Sequence, residues 1–237
     1  MKNRTEHLYG GISYCVGEES FPLSTDSMLL GSFASLGKNA VVADLGSGSG
    51  ALGLLLCGKY PDCQVTGVEI HEPSHEAAIE NIKNNALEQR MKSLLGDIRE
   101  VSSILPGGKF HCVVSNPPYF VAGADSQGPA GPQARKEAQC KLEDLYAAAK
   151  WLLRFGGDFY LVHKPDRLTD LMALGRIHGL EPKKLRCVRY QQGSAVSLVL
   201  LQCRRGGKPG LRFLPDLILK QTDGTPTEEY KQIYHMD

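Results

Sequence analysis

A doubly wound α/β fold with a mostly parallel central sheet is what this sequence predicts, on three observations. Short apolar, β-rich runs alternate with helix-length amphipathic segments along most of the chain. The first of those runs stops on a cluster of glycines that leads straight into a helix. No window approaches the length of apolar sequence that a membrane-spanning helix requires.

The elements follow in order. Residues 40–45 (Ala-Val-Val-Ala-Asp-Leu) read as a short buried strand ending at Gly46-Ser47-Gly48-Ser49-Gly50, and residues 51–59 as a helix. Residues 64–70 are a second β-rich run. Pro73 then stands where proline is favoured in the first turn of a helix that carries Ala77, Ala78, Ile82 and Ala86 on one side. Residues 92–95 and 110–115 are the third and fourth strands, with no clear helix-length amphipathic run between them. Residues 142–153 read as a helix, 158–163 as a strand and 166–178 as a helix, while 184–190 and 195–202 close the pattern as two strands. Strand order is not readable at this level. Residues 121–138, rich in Gly and Pro, form a long loop after the fourth strand, a length that usually marks function or motion.

At 237 residues, 42% hydrophobic and 22% charged, the chain has the size and composition of one globular domain. It divides into a lead-in (1–39), a core (40–203) and a basic loop with a carboxy-terminal tail (204–237). With no signal-peptide pattern in its first thirty residues, a cytoplasmic location is expected. The seven cysteines are scattered without a C-x-x-C pair, which favours reduced thiols packed as small hydrophobes over zinc or redox chemistry. The formal net charge of +1 hides an asymmetry: residues 183–220 hold nine basic residues against the one acid Asp216, a local +8. Arg204, Arg205 and Lys208 in that stretch are the best candidates for binding phosphates.

The glycine turn allows a ligand to approach the backbone closely, because glycine has no Cβ to collide with it. Gly48-Ser-Gly50-Ala-Leu-Gly53 also satisfies the dinucleotide fingerprint G-x-G-x-x-G, and Glu69, at the end of the second strand, would hold ribose hydroxyls in either a dinucleotide or S-adenosylmethionine. Asp44 tilts the choice to S-adenosylmethionine, since a carboxylate beside the turn attracts a cationic ligand and repels a pyrophosphate. Gly46, Ser47, Gly48 and Gly50 are thus candidate cofactor contacts, and Asp97, after the third strand, is a candidate acceptor for the adenine amine. His71-Glu-Pro-Ser-His75 matches the zinc pattern H-E-x-x-H only formally, because Pro73 disfavours helix at Glu72 and leaves His71 ahead of it; no metal is expected.

The sharpest signal is Ser115-Asn116-Pro117-Pro118-Tyr119-Phe120 at the end of an apolar strand. Two prolines fix φ and remove two donors, which leaves a stiff turn of acceptors. Asn116 adds a side-chain acceptor and Tyr119 a flat face for a planar amine-bearing group. Holding both N–H bonds of such a group on Asn116 and the Pro117 carbonyl aims its nitrogen lone pair at a methyl donor and needs no strong base.

With these motifs in order, the chain resembles the class I S-adenosylmethionine-dependent methyltransferases of the N-P-P-Y, amino-methylating subgroup. Within it, the sequence is most similar to the bacterial tRNA adenine methyltransferases that modify the exocyclic amine of the adenosine beside the anticodon of a valine tRNA. Residues 21–31, residues 134–137, the Gly206–Gly210 loop and residues 227–230 extend the likeness over nearly the whole chain. The resemblance implies a Rossmann-like, seven-stranded sheet with its last strand antiparallel, Thr25 and Asp26 near the methionine end of the cofactor, and tRNA as partner. Arg135 and Lys136 would then close on the substrate from the long loop. No aromatic-rich platform for RNA is visible in the sequence. Methylation of a glutamine side chain in a protein such as a release factor stays open, as do ribosomal RNA and DNA amines, because each presents the same planar amine.

Overall fold

The computed structural model describes residues 4–16, 23–119 and 142–234; Phe120, Arg135, Lys136 and the rest of the long loop lie outside them. A hairpin of β1 (Arg4–His7) and β2 (Ser13–Val16) precedes α1 (Thr25–Phe33). The alternation follows: β3 (Val41–Leu45), α2 (Ala51–Lys59), β4 (Gln64–Glu69), α3 (Glu72–Asn84), β5 (Met91–Leu95), the single-turn α4 (Val101–Ile104) and β6 (Phe110–Ser115). After the long loop come α5 (Leu142–Leu152), β7 (Leu153–His163), α6 (Leu168–Ile177), β8 (Leu180–Gln191) and β9 (Val196–Arg205). Two short strands, β10 (Arg212–Phe213) and β11 (Leu217–Lys220), and α7 (Glu228–Tyr234) end the described chain.

The core strands lie in the order β5-β4-β3-β6-β7-β9-β8, all parallel except β9, which runs antiparallel between β7 and β8. These are the seven strands the sequence implied. β10 and β11 add to them by pairing in parallel, one after the other, along the outer edge of β8, so part of the stretch expected to be a loop and tail extends the sheet. Capping the edge in this way removes a row of unpaired amides that would otherwise template association.

Alternation along the central strands sorts the core into two layers. Tyr160 and Val162 of β7 pack with α1 and α2 on one face, and Phe159 and Leu161 pack with α5 and α6 on the other. Each fully buried Leu or Phe contributes about 1.5–3 kcal/mol. The hairpin is held by two asparagines, Asn81 on α3 and Asn85 at its C-cap: Asn85 exchanges hydrogen bonds with both backbone groups of Ser13, and Asn81 does the same with Cys15. Ser24 starts α1 as its N-cap, its Oγ accepting from the Ser27 amide at 3.1 Å. Ala86, expected on α3, falls just beyond its end with φ near 51°. No helix among the described residues is long and apolar enough to cross a membrane.

Candidate active site

The carboxyl ends of β3, β4, β5 and β6 converge on one cavity of about 470 Å³, the position at which open α/β sheets bind ligands. Its walls bring together Asp26, Asp44, Gly46, Ser47, Gly48, Glu69, Asp97, Asn116, Pro117, Pro118 and Tyr119, which the sequence scatters over more than ninety positions.

Gly46 and Gly48 have φ of 71° and 52°, a conformation that side-chain-bearing residues rarely adopt. The turn is tied to the next strand, since the amides of Gly46 and Ser47 both donate to the Val68 carbonyl, at 2.9 and 3.2 Å. Gly67 of β4 is needed for that approach: a Cβ there would stand 2.6 Å from Ser47 Oγ and 2.8 Å from its Cβ. Glu69 accepts from the Gly48 amide at 2.7 Å and from the His71 amide at 2.8 Å, so its carboxylate is oriented with lone pairs to spare for two ribose hydroxyls. Asp44 is 1% exposed and one of its carboxylate oxygens has no partner. Burial, then the nearby Glu69, pushes its pKa up to about 7. An orphaned carboxylate here suits the cationic end of S-adenosylmethionine and would repel a pyrophosphate, so the residues present fit that cofactor.

Asp97 caps the turn after β5 by accepting from the Arg99 amide at 2.9 Å, and its carboxylate grips the Arg99 guanidinium at 2.8 and 3.0 Å. That hydrogen bond keeps its pKa below the usual carboxylate value.

Ser115, fully buried, donates to the Leu45 carbonyl at 2.7 Å and joins the acceptor strand to the cofactor strand. The Asn116 amide nitrogen donates to Ser27 Oγ at 3.0 Å and Ser24 Oγ at 3.2 Å, so the first turn of α1 fixes the rotamer and leaves Oδ1 as acceptor. Pro117 is buried and Pro118 exposed. The Tyr119 hydroxyl donates to Asp26, and burial together with that carboxylate holds its pKa well above the phenol range. Its ring meets the His163 ring edge-on at 5.2 Å between centroids, and Lys164 Nζ stands 5.0 Å from it. The Lys164 amide donates to His163 Nδ1 at 2.8 Å, and burial depresses the pKa of the ring.

Several expected positions lie elsewhere. Thr25 does not line the cavity; its side chain meets the Tyr234 hydroxyl on α7. Arg204, Arg205 and Lys208 sit at the opposite end of the sheet, because β9 is antiparallel and its last residue pairs with the first of β8, Arg205 with Leu180. Arg204 is already paired with Asp158 through two bonds of 2.8 Å, and Arg205 donates to the Leu153 carbonyl. A charge count along a sequence does not see such partners. Tyr14, Ser24, Ser27, Ser74 and Arg99 also line the cavity and escaped the sequence reading. Ser24 alone left a signal, a capping residue followed by an acid in the first turn. His71 is the N-cap of α3 and bonds Ser74, whereas His75 bonds Ser93, and among the described residues no cluster of three His, Cys, Asp or Glu side chains is placed to hold a metal ion.

Comparison with known proteins agrees with this geometry. Residues 24–172 match the model of the methyltransferase small domain family. The tRNA1(Val) (adenine(37)-N6)-methyltransferase of Aeromonas hydrophila is 29% identical over 212 residues, covering 89% of this chain and 87% of the relative. The protein of that description from Porphyromonas gingivalis is 31% identical over 221 residues, covering 89% and 86%. Among solved structures, a predicted O-methyltransferase from Agrobacterium tumefaciens superposes with a TM-score of 0.73 at 23% identity, over 89% of this chain and 96% of that one, a likeness of fold. Taken with the cavity, these matches show that the chain belongs to the methyltransferase small domain family and works as an S-adenosylmethionine-dependent methyltransferase.

Proposed function

We propose that the chain methylates the exocyclic N6 amine of an adenosine in tRNA, the one next to the anticodon of a valine tRNA. The observation that carries the chemistry is the shared cavity: the Asn116-Pro117-Pro118-Tyr119 turn faces the same space as the glycine turn, Asp44 and Glu69. The bound cofactor supplies an electrophilic methyl on a sulfonium. Glu69 and the glycine turn would hold its ribose, Asp44 its cationic end, and the wall around Asp97 its adenine. Asn116 Oδ1 and the Pro117 carbonyl accept the two amine N–H bonds of the substrate and steady the charge that develops on nitrogen. Tyr119 supplies the face on which the base rests. The choice of tRNA is supported by the relatives from Aeromonas hydrophila and Porphyromonas gingivalis.

Incubation of the purified protein with methyl-labelled S-adenosylmethionine and either tRNA from a strain lacking the modification or a release factor tests this. Label in the RNA, and N6-methyladenosine on nuclease digestion, is the expected result. Label in the protein acceptor alone overturns it. Asn116→Ala should lower turnover by about 10² or more with little change in cofactor affinity.

A further inference from the structure

Two tyrosine rings at the carboxyl end of the sheet each carry a lysine ammonium, and only the first belongs to the cavity. Lys164 stands over Tyr119; Lys220 stands 5.3 Å from the ring of Tyr190, which is 52% exposed. The two pairs come from distant parts of the sequence, and the topology makes them neighbours. β7 and β8 flank β9 and run parallel to each other, with His163 and Cys187 both level with Val199. Lys164 follows His163 and Tyr190 lies three residues past Cys187, so the second pair is about 10 Å across the sheet and slightly further out toward solvent. β11 runs parallel to β8 with Lys220 opposite Gln191, which brings the ammonium to that same end.

We infer that Tyr190 and Lys220 form a second nucleotide subsite, which stacks a single-stranded base flanking the target and holds its phosphate. The inference rests on the RNA reading above and specifies where the RNA runs. A solvent-exposed aromatic face with a cation on it matches the chemistry of single-stranded nucleic acid, a flat base joined to an anion, and stacking of this kind tolerates any base. The arginines of the neighbouring stretch are engaged: Arg186 grips Glu229 through two bonds of 2.7 Å and Arg189 pairs with Asp216 at 2.6 Å. Their charge is spent on fastening α7 and the loop before β11. The subsite lies at the same end of the sheet as the cavity, whereas Arg204 and Lys208 lie at the far end of the strands.

Fluorescence anisotropy with a short labelled single-stranded RNA containing one adenine tests this, with S-adenosylhomocysteine present and salt varied. Tyr190→Ala should weaken binding about tenfold and Tyr190→Phe should restore it to within about twofold. Lys220→Gln should weaken binding and lower the slope of log affinity against log salt by about 0.7, while Lys208→Ala leaves both unchanged. Melting temperature and cofactor affinity, read for every variant, should match wild type. Wild-type binding by Tyr190→Ala, or equal losses in the Ala and Phe variants, overturns the subsite while tRNA methylation by the wild type keeps the functional reading intact. A wild-type protein that neither binds nor methylates RNA removes both.

Discussion

Replacing Asp44 with Asn should stabilise the ligand-free protein and weaken its grip on the cofactor. The Asp44 carboxyl is 1% exposed, and burial, then Glu69, raises its pKa from 3.8 to about 7. At 1.36 kcal/mol per pKa unit the fold opposes ionisation of this group by on the order of 4 kcal/mol. The sign follows from the raised value: the stabilisation is fully present below pH 3.8, is lost progressively as pH rises, and is gone above about 7. Asparagine does not ionise, so the difference between variant and wild type should grow from near zero at pH 4 to a plateau by pH 8. The amide is itself imperfectly paired, which trims the gain to about 1–3 kcal/mol, several degrees in melting temperature. A cationic ligand reverses the preference and favours the carboxylate. Wild-type affinity for S-adenosylmethionine should therefore rise with pH by up to tenfold per unit below about 7 and then level off. Asp44→Asn should lose about tenfold or more in affinity and lack this component of the slope. Thermal melts and titration calorimetry between pH 5 and 8 measure both. A variant no more stable than wild type at pH 8, with the pH slope of cofactor binding intact, would refute the reasoning.

Other positions give equally direct tests. Ser27→Ala removes the nearer of the two acceptors that hold the Asn116 amide and leaves Ser24; turnover should fall about three- to tenfold with cofactor affinity preserved, as separate kcat and Kd measurements would show. Gly67→Ala drives a methyl into Ser47, so calorimetry should register at least a tenfold loss of cofactor affinity and melting a destabilisation of about 1–3 kcal/mol. Tyr119→Phe keeps the ring and loses the bond to Asp26, so steady-state turnover should drop less than tenfold, against about a hundredfold for Tyr119→Ala.

Much of this architecture was legible in the sequence, for reasons that particular elements make plain. β3, β4 and β6 are covered on both faces, and strands of that kind are near-continuous apolar runs that end on glycine, acid or proline. The cofactor side of the cavity was readable as well, since a turn and the strand that precedes it are local in sequence. α1 was not, because Met28, Leu29 and Leu30 are buried in succession and give little helical periodicity. The hairpin was also invisible, because its strands are short and largely polar and are fastened by Asn81 and Asn85, far along the sequence at the end of α3. Ser24 and Ser27 reach Asn116 across about ninety residues, and nothing local marks a serine for that role. Strand order decided the fate of the basic stretch: only the antiparallel course of β9 shows that Arg204 points away from the chemistry.

The bond from Ser115 to Leu45 has a consequence for how such an enzyme diversifies. The segment that grips the methyl donor and the segment that presents its recipient leave from adjacent rungs of one rigid ladder, clamped together at the last step. The two segments are thereby held at the spacing of neighbouring strands, about 4.8 Å, by a bond made before residue 119. A change of recipient written into the connection beyond that residue leaves this registration of the two segments in place.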